Sequence, residues 1–486
     1  MLSQSSAAGI PQEVHSFFTN PGGHSLILRG MAGAGKTTFA LQIIEDLVAV
    51  ESSFYFSTRV SDESLLLQFP WLRDKLASEV TSRIDGQKAE DTRQGLSALK
   101  GINTALRPSG KGLVSVSIGK DLGEIEDMYT AVEKRAPERT LVVVDSVDAL
   151  AERYGLACIK LINTLQKDLV EGFGANMVYV LESPEQMLDY LGDGVIRLAL
   201  DEHQGRRTRV IEILKLRGCE IRQPKYLYTL KGGRIQSFEY RWERAAGSNG
   251  QWRHIPDSGE MLSTGIKDLD QLLGGGLGRG SIVLIEMGRG VPTPVANIFE
   301  DALVANFVSL SRGVIWMPLR KASAEGVRSR LADALPKDRF DRQVRVPELA
   351  SAMDITGGQF VLPVEGSSAA ADLKWQNISY HLQGAEQPYL TLIGFDSAES
   401  VYGAQVMDQL TDLLAAVKRN RSLFVGITSQ SNASIERLKD LATTHLKLDR
   451  VGGTVLLYGE EPYTECYAIT FRENDQGGQI ALTPIV

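Results

Sequence analysis

The chain has 486 residues, too many for one hydrophobic core, because single cores stop growing at about 250 to 300 residues. With 43% hydrophobic and 23% charged residues it resembles soluble globular proteins, and no apolar run approaches the ~18 residues that span a membrane. A formal net charge of -8 argues against general binding to nucleic acid. Three widely spaced cysteines and an N-terminal stretch without signal-peptide features predict a cytoplasmic protein with no disulfide framework or zinc site.

The first half alternates short β-branched runs with longer amphipathic stretches. The predicted strands are SLILRG at 25–30, SFYFST at 53–58, TLVVVDS at 140–146 and NMVYVLES at 176–183. The predicted helical stretches are 38–50, 63–77, 156–172 and 184–191. This alternation predicts βαβ units, and hence a mostly parallel sheet with helices on both faces. The runs 196–203, 208–216 and 225–230 follow turn signals and predict an antiparallel ribbon that completes the sheet.

The second half repeats this pattern. A glycine-rich loop follows the run at 281–284, and the two loops align at an offset of 256, which places Gly30 against Glu286. The run LTLIGFDS at 390–397 resembles the earlier TLVVVDS, and both end in Asp-Ser. We therefore predict two tandem α/β domains at 1–240 and 261–486, joined by a linker at 241–260 that is rich in turn residues.

The sequence GMAGAGKT at 30–37 matches the phosphate-binding pattern GxxxxGK[ST], and it lies between a predicted strand and a predicted helix. In this pattern, glycines let backbone N–H groups surround a phosphate, the lysine contacts phosphate oxygens and the hydroxyl binds Mg²⁺. Asp145 ends a buried strand and suits a second, water-mediated Mg²⁺ contact. ATP and Mg²⁺ are the predicted cofactors. The predicted ATP-binding residues are Gly30, Gly33, Ala34, Gly35, Lys36, Thr37 and Thr38, the predicted metal ligands are Thr37 and Asp145, and the predicted catalytic residues include Lys36 and Asp145.

Further segments carry a family resemblance. STGIKDLDQLLGGGL at 263–277, VVVDSVDAL at 142–150, YLGDGVI at 190–196 and KLRG at 215–218 resemble landmarks of the KaiC-like RecA-superfamily ATPases. IPQEVHSFF at 10–18, FSTRVSDESLLLQFPWL at 56–72 and LTPIV at 482–486 are similar to the archaeal GvpD family of gas vesicle regulatory proteins. The resemblance implies two RecA-like P-loop domains. It also implies an ATP-binding regulator that represses gas vesicle formation through an activator protein.

The sequence departs from the KaiC-like pattern where a catalytic glutamate pair follows the second strand. Arg59 and Val60 stand at those two positions. Glu63 and Glu182 are substitutes by location only, and a capping or solvated role is the competing interpretation for both. We therefore expect tight nucleotide binding and slow hydrolysis.

Basic residues near the end of the first half suggest contacts between subunits. Lys215 and Arg217 alternate with leucines, so both leave one face of a strand. The resemblance implies that such a pair acts on a neighbouring subunit's γ-phosphate, and an exposed charged face is the alternative. Arg206, Arg207 and Arg209 are interpreted as lying in a hairpin turn, either simply solvated or forming a patch for an acidic partner.

The second phosphate loop is degenerate in sequence. At the offset of 256, Glu286, Val291 and Pro292 replace the first glycine, the last glycine and the lysine. A proline supplies neither the cation nor a backbone donor, and valine adds a Cβ where backbone should approach phosphate. We therefore expect no conventional ATP site in the second domain, with Asp396 a structural relic.

Three functional classes remain open at this point. The favoured one is a nucleotide-dependent regulator that binds a regulatory protein, for example a transcription activator, with a homo-oligomer as a further option. A RecA-type DNA-dependent recombinase or helicase is the alternative, but residues 151–177 supply only Arg153, Lys160 and Lys167 as basic side chains. An autokinase or timing ATPase would need ATP in the second domain, which the loss of the lysine opposes.

Overall fold

The computed structural model describes residues 9–47, 52–57, 65, 67–71, 123–182, 186–239, 252–350, 358–472 and 479–486. The chain divides into two compact units, Ala8–Glu239 with Val486, and Tyr240–Ile485. The division falls beside the start of the predicted linker. No helix among the described residues is both long and apolar enough to cross a membrane.

The first unit contains one eight-stranded mixed sheet, in the order β2-β3-β4-β1-β5-β6-β7-β8. The strands from β2 to β5 in this order pair in parallel, and β6, β7 and β8 continue the sheet in antiparallel pairs. The strands are β1 Ser25–Gly30, β2 Ser52–Ser57, β3 Thr140–Asp145, β4 Asn176–Leu181, β5 Gly194–His203, β6 Arg206–Leu216, β7 Lys225–Thr229 and β8 Gln236–Ser237. The helices are α1 Gln12–Thr19, α2 Lys36–Leu47, α3 Gly123–Glu133, α4 Val147–Tyr154 and α5 Cys158–Leu165, which continues as a π-helical turn Gln166–Gly172.

Helices cover both faces of this sheet, as the sequence predicted. Leu26 and Leu28 on β1 belong to a core that also contains residues of α1 and α2, among them Phe17 and Phe39. Ile27, between them, belongs to the opposite core with residues of α4 and α5. Burial of β1 on both sides explains its continuous apolar sequence.

The second unit contains a ten-stranded mixed sheet, in the order β14-β13-β12-β15-β16-β11-β17-β18-β19-β20. Its strands are β9 Met261–Leu262 and β10 Leu277–Gly278, which form a separate pair, followed by β11 Ile282–Met287, β12 Arg312–Met317, β13 Val344–Leu349, β14 Val361–Val364, β15 Glu386–Gly394, β16 Leu423–Ser429, β17 Thr444–Val451, β18 Thr454–Glu461, β19 Tyr467–Arg472 and β20 Gln479–Pro484. Its helices are α6 Lys267–Leu272, α7 Thr293–Ser309, α8 Ala324–Arg330, α9 Lys337–Gln343, α10 Ala369–Asp372, α11 Trp375–His381, α12 Phe395–Tyr402, α13 Val406–Gln409, α14 Thr411–Arg419 and α15 Ile435–Leu441.

From β12 to β20 the second sheet repeats the strand order of the first, with β13 and β14 added at one edge. The α/β architecture with two mostly parallel sheets is therefore as predicted, and it is consistent with two tandem P-loop domains. The first sheet places β1 between β4 and β5, and the second places β11 between β16 and β17. The central strand thus holds the same position in both units.

The predicted offset of 256 is wrong by one residue. Leu26 pairs with β4 and β5 as Val283 pairs with β16 and β17, and both face the core formed with the helix after the loop. An offset of 256 would align Leu26 with Ile282, which faces the opposite core. Because side chains alternate along a strand, a slip of one residue exchanges the two faces. The structural equivalence is therefore Gly30 with Met287.

Candidate nucleotide-binding site

The loop after the central strand β1 adopts a conformation that depends on its glycines. A Cβ at Gly30 would lie 2.3 Å from the Leu198 carbonyl oxygen, so only glycine fits there. Gly33 and Gly35 have φ angles of +78° and +88°, which residues with a Cβ rarely adopt. The helix α2 begins directly afterwards, at Lys36.

Lys36 folds back over this loop. Its Nζ lies 2.7 Å from the Gly30 carbonyl oxygen and 3.1 Å from that of Met31, and the residue is only 8% exposed. Its ammonium group therefore lies beside the N-terminus of α2, where the helix dipole also contributes positive potential. Two positive sources at one loop favour an anion there. Thr38, another predicted binding residue, is buried in the first turn of α2.

Asp145 is the last residue of β3, and its carboxylate meets the loop. Its Oδ2 accepts hydrogen bonds from the Thr37 hydroxyl at 2.7 Å and from the Tyr55 hydroxyl at 2.8 Å. Burial, and then the Asp145 charge, raises the pKa of Tyr55, so this hydroxyl stays a donor at neutral pH. A hydroxyl beside a carboxylate is a ligand pair suited to Mg²⁺. Tyr55 was missed by the sequence analysis, because only the pairing of β2 with β3 brings it to Asp145.

Lys215 and Arg217 lie at the other end of the sheet from the loop. Leu216 pairs with Gly194, which pairs with Leu26, near the start of β1. The Lys215 Nζ donates to the Gly192 carbonyl at 2.5 Å, and the Arg217 guanidinium forms a 2.9 Å ion pair with Asp193. Burial, and then the nearby Arg217 charge, lowers the pKa of Lys215.

The length of β1, about 16 Å at ~3.3 Å per residue, therefore separates these two basic residues from the loop of their own chain. Their predicted role toward a neighbouring subunit stays a prediction.

The prediction that Arg206, Arg207 and Arg209 lie in a hairpin turn is wrong, because all three belong to β6, and only Arg207 is solvent-exposed. Arg206 and Arg209 are 2% and 8% exposed and belong to β6, whereas the turn itself is Gln204-Gly205. The Arg209 Nη1 donates to the Gly33 carbonyl oxygen at 2.9 Å, which places it against the loop. Its separation of 176 residues from Gly33 left no local signal in the sequence.

The substitute glutamates are placed differently. Glu182 follows β4 directly, its side chain is exposed, and its backbone N–H donates to the Asp148 carboxylate at 2.6 Å. Glu63, Arg59 and Val60 lie outside the described residues. The expectation of slow hydrolysis therefore stays a prediction.

The corresponding edge of the second unit carries different residues. With Gly30 equivalent to Met287, the counterpart of Lys36 is Thr293, the first residue of α7, rather than Pro292. Asp145 lies in register with Leu28 through the strand β4 between them, and Gly394 lies in register with Ile285 through β16. Leu28 and Ile285 are equivalent positions of the two central strands. Gly394, and not Asp396, is therefore the counterpart of Asp145.

Asp396 lies in the first turn of α12 and accepts a 2.9 Å hydrogen bond from Asn432. Glu286, which was predicted to replace the first glycine of the loop, is instead a buried residue of β11, 2.9 Å from His445 and 3.7 Å from Lys439. Hydrogen bonding from His445 and the charges of nearby lysines lower the pKa of Glu286, although burial opposes them.

A mostly parallel sheet whose central strand leads through a glycine loop into a helix, with a carboxylate at the end of the next strand but one, defines a P-loop domain, and a P-loop domain implies nucleotide binding. Residues 14–216 match the family described as GvpD gas vesicle protein, P-loop domain, and residues 251–486 match GvpD basic region 2. The chain belongs to the GvpD family.

Relatives support this assignment along the whole chain. Protein GvpD2 of Halobacterium salinarum is 25% identical over 99% of this chain and 97% of its own length. Protein GvpD1 of the same organism is 24% identical over 98% of this chain and 96% of its own length. The circadian clock oscillator protein KaiC of Acaryochloris marina is a more distant relative, 24% identical over 58% of this chain and 52% of its own length.

Proposed function

We propose that the first unit binds ATP with Mg²⁺ and that the bound nucleotide controls association with a regulatory protein of gas vesicle formation. The observation that carries the proposal is the convergence of Lys36, Thr37 and Asp145 at the loop. The match to the GvpD gas vesicle protein family and the similarity to proteins GvpD1 and GvpD2 support the link to gas vesicles.

The residues present fit the nucleotide. Gly33 and Gly35 give the loop its left-handed backbone turns, Lys36 holds a cation over the loop, and the helix N-terminus directs backbone donors toward an anion. The Thr37 hydroxyl already donates a hydrogen bond to the Asp145 carboxylate, and both groups would bind Mg²⁺. When bound, the nucleotide supplies the triphosphate whose terminal phosphate distinguishes the ATP state from the ADP state.

The second unit supports binding to a partner rather than to nucleotide. Thr293 offers no cation and Gly394 no carboxylate, yet the full sheet is retained. A domain without a nucleotide can still offer a docking surface, and coupling requires only that ATP favours one conformation of the protein. A typical coupling free energy of ~1 to 3 kcal/mol changes partner affinity about 5- to 150-fold.

The test is affinity purification from native cells with the wild type and Lys36→Ala. The affinity for the captured protein is then measured with ATP, with ADP and without nucleotide. We expect the wild type alone to respond to nucleotide. Equal affinities in all three states would reject nucleotide control, and tight binding to single-stranded DNA at physiological salt would instead support a DNA-dependent ATPase.

A further inference from the structure

The carbonyl side of the phosphate loop contacts two side chains from strands that lie beyond β5. The first is Arg209 on β6. Its Nη1 donates to the Gly33 carbonyl at 2.9 Å, and its Nε donates at 2.6 Å to a main-chain oxygen of Val486, which belongs to the same compact unit. The guanidinium group therefore binds the Gly33 carbonyl and is itself fixed in place by its hydrogen bond to Val486.

The second side chain is Tyr228 on the neighbouring strand β7. It is fully buried, and its hydroxyl donates to the Ala34 carbonyl. Burial raises the pKa of Tyr228, and the Arg209 charge beside it only opposes that rise, so the hydroxyl stays protonated at neutral pH. Just after β7, methyl groups of Leu230 lie 3.1 and 3.2 Å from the position that a Cβ of Gly35 would occupy.

These contacts fix the directions of the loop's N–H groups. In a trans peptide, the carbonyl of one residue and the N–H of the next point in opposite directions. The Ala34 N–H, opposite the Gly33 carbonyl, closes a turn onto the Met31 carbonyl at 3.2 Å. The Gly35 N–H, opposite the Ala34 carbonyl, points away from Tyr228. Two glycines at positive φ would otherwise leave this segment free to adopt several backbone conformations.

We propose that Arg209 and Tyr228 are positioning residues that hold the phosphate loop in its anion-binding shape before nucleotide arrives. The inference rests on the proposed binding of ATP to this loop. Both side chains act through the Gly33 and Ala34 carbonyls. Holding the loop in advance lowers the ordering cost that nucleotide binding would otherwise have to offset.

The test compares Tyr228→Phe with Tyr226→Phe. Tyr226 lies on the same strand, and its hydroxyl is also hydrogen-bonded, but to the Glu13 carboxylate oxygens at 2.7 and 2.8 Å. Each variant loses one hydroxyl and no carbon. We expect Tyr228→Phe to raise the Kd for ATP about five- to tenfold, with and without Mg²⁺, and Tyr226→Phe to leave it within twofold of the wild type.

Amide hydrogen exchange of residues 31–36 without nucleotide gives a second measurement. Tyr228→Phe should accelerate exchange in this segment severalfold, whereas Tyr226→Phe should not. Arg209→Lys keeps the charge but cannot direct two fixed donors at the main-chain oxygens of Gly33 and Val486, so it should shift both measurements in the same direction as Tyr228→Phe.

Unchanged Kd and unchanged loop exchange in both Tyr228→Phe and Arg209→Lys would overturn the positioning role. The same conclusion would follow if Tyr226→Phe changed both quantities as much as Tyr228→Phe. Failure of the wild type to bind ATP would reject the proposed function instead, and the exchange comparison would still decide whether the two side chains hold the loop.

Discussion

The two units share one strand order but differ at the loop after their central strand. In the first unit this loop joins Gly30, a buried lysine and the Asp145 carboxylate. In the second, the structural counterparts of Gly30 and Asp145 are Met287 and Gly394, and the following helix begins with Thr293. The second unit therefore keeps this sheet without the lysine and the carboxylate that meet at the loop of the first unit.

Burial explains why the second unit keeps its architecture. Its helix α7 contributes Val295, Phe299 and Leu303 to the core beneath the sheet. The buried carboxylate of Glu286 on the central strand is paired with the side chains of His445 and Lys439. Large-to-small substitutions in such a core cost about 2 to 5 kcal/mol each, and nucleotide binding plays no part in that cost.

The largest expected effect distinguishes the two loops directly. Lys36→Ala should weaken ATP binding by at least about 100-fold, because it leaves the phosphates without their buried cation. The matched change in the second unit, Thr293→Ala, should leave the affinity unchanged. Calorimetric titration should give one nucleotide per chain, and a stoichiometry near two would contradict the difference between the units.

A second prediction asks whether the carboxylate can be restored in the second unit. A Cβ at Gly394 would lie 2.7 Å from the Leu319 backbone nitrogen, so Gly394→Asp should lower the free energy of unfolding by about 2 to 4 kcal/mol. Gly384→Asp is the control, because a Cβ at Gly384 meets no atom within 4 Å. Denaturant titration of both variants measures the difference, and equal stabilities would refute the steric argument.

A third prediction concerns the two ends of the first sheet. Arg217→Ala should leave the ATP affinity of its own chain within about twofold, because surface ion pairs contribute ~1 kcal/mol or less and this one is far from the loop. If Arg217 acts on a neighbour, its removal should slow hydrolysis. Mixing Arg217→Ala with Lys36→Ala should then restore part of the rate. An inactive mixture, with exchange of subunits demonstrated, would count against action between subunits.

The last prediction concerns Tyr55. Tyr55→Phe removes a hydrogen-bond donor to the Asp145 carboxylate, so the gain in ATP affinity on adding Mg²⁺ should be about five- to tenfold smaller than in the wild type. Affinity in EDTA should not change. Tyr179→Phe is the control, because the fully buried Tyr179 hydroxyl has no hydrogen-bond partner in the described part of the chain. The same loss of Mg²⁺ dependence in both variants would exclude a specific role for Tyr55.

The sequence by itself determined the elements whose signals are local. Continuous apolar runs predicted the buried strands, and the glycine loop predicted that a helix follows, although α2 begins at Lys36 and not at residue 38. Asp145 was placed at the end of its strand for the same reason. The tandem repeat and the parallel sheets also followed, because alternating strands and helices leave few other architectures.

Only the tertiary structure decided what depends on pairing between distant strands. The equivalence of Gly30 with Met287 depends on which core the side chains of the two central strands face. Alignment of the two halves by residue type alone gave an offset that is wrong by one residue. Tyr55 reaches Asp145 because β2 pairs with β3, and Arg209 reaches the phosphate loop because β6 extends past it beside β5. Strand register and strand order are non-local properties, so residues 90 and 176 positions apart meet at one site without any local signal.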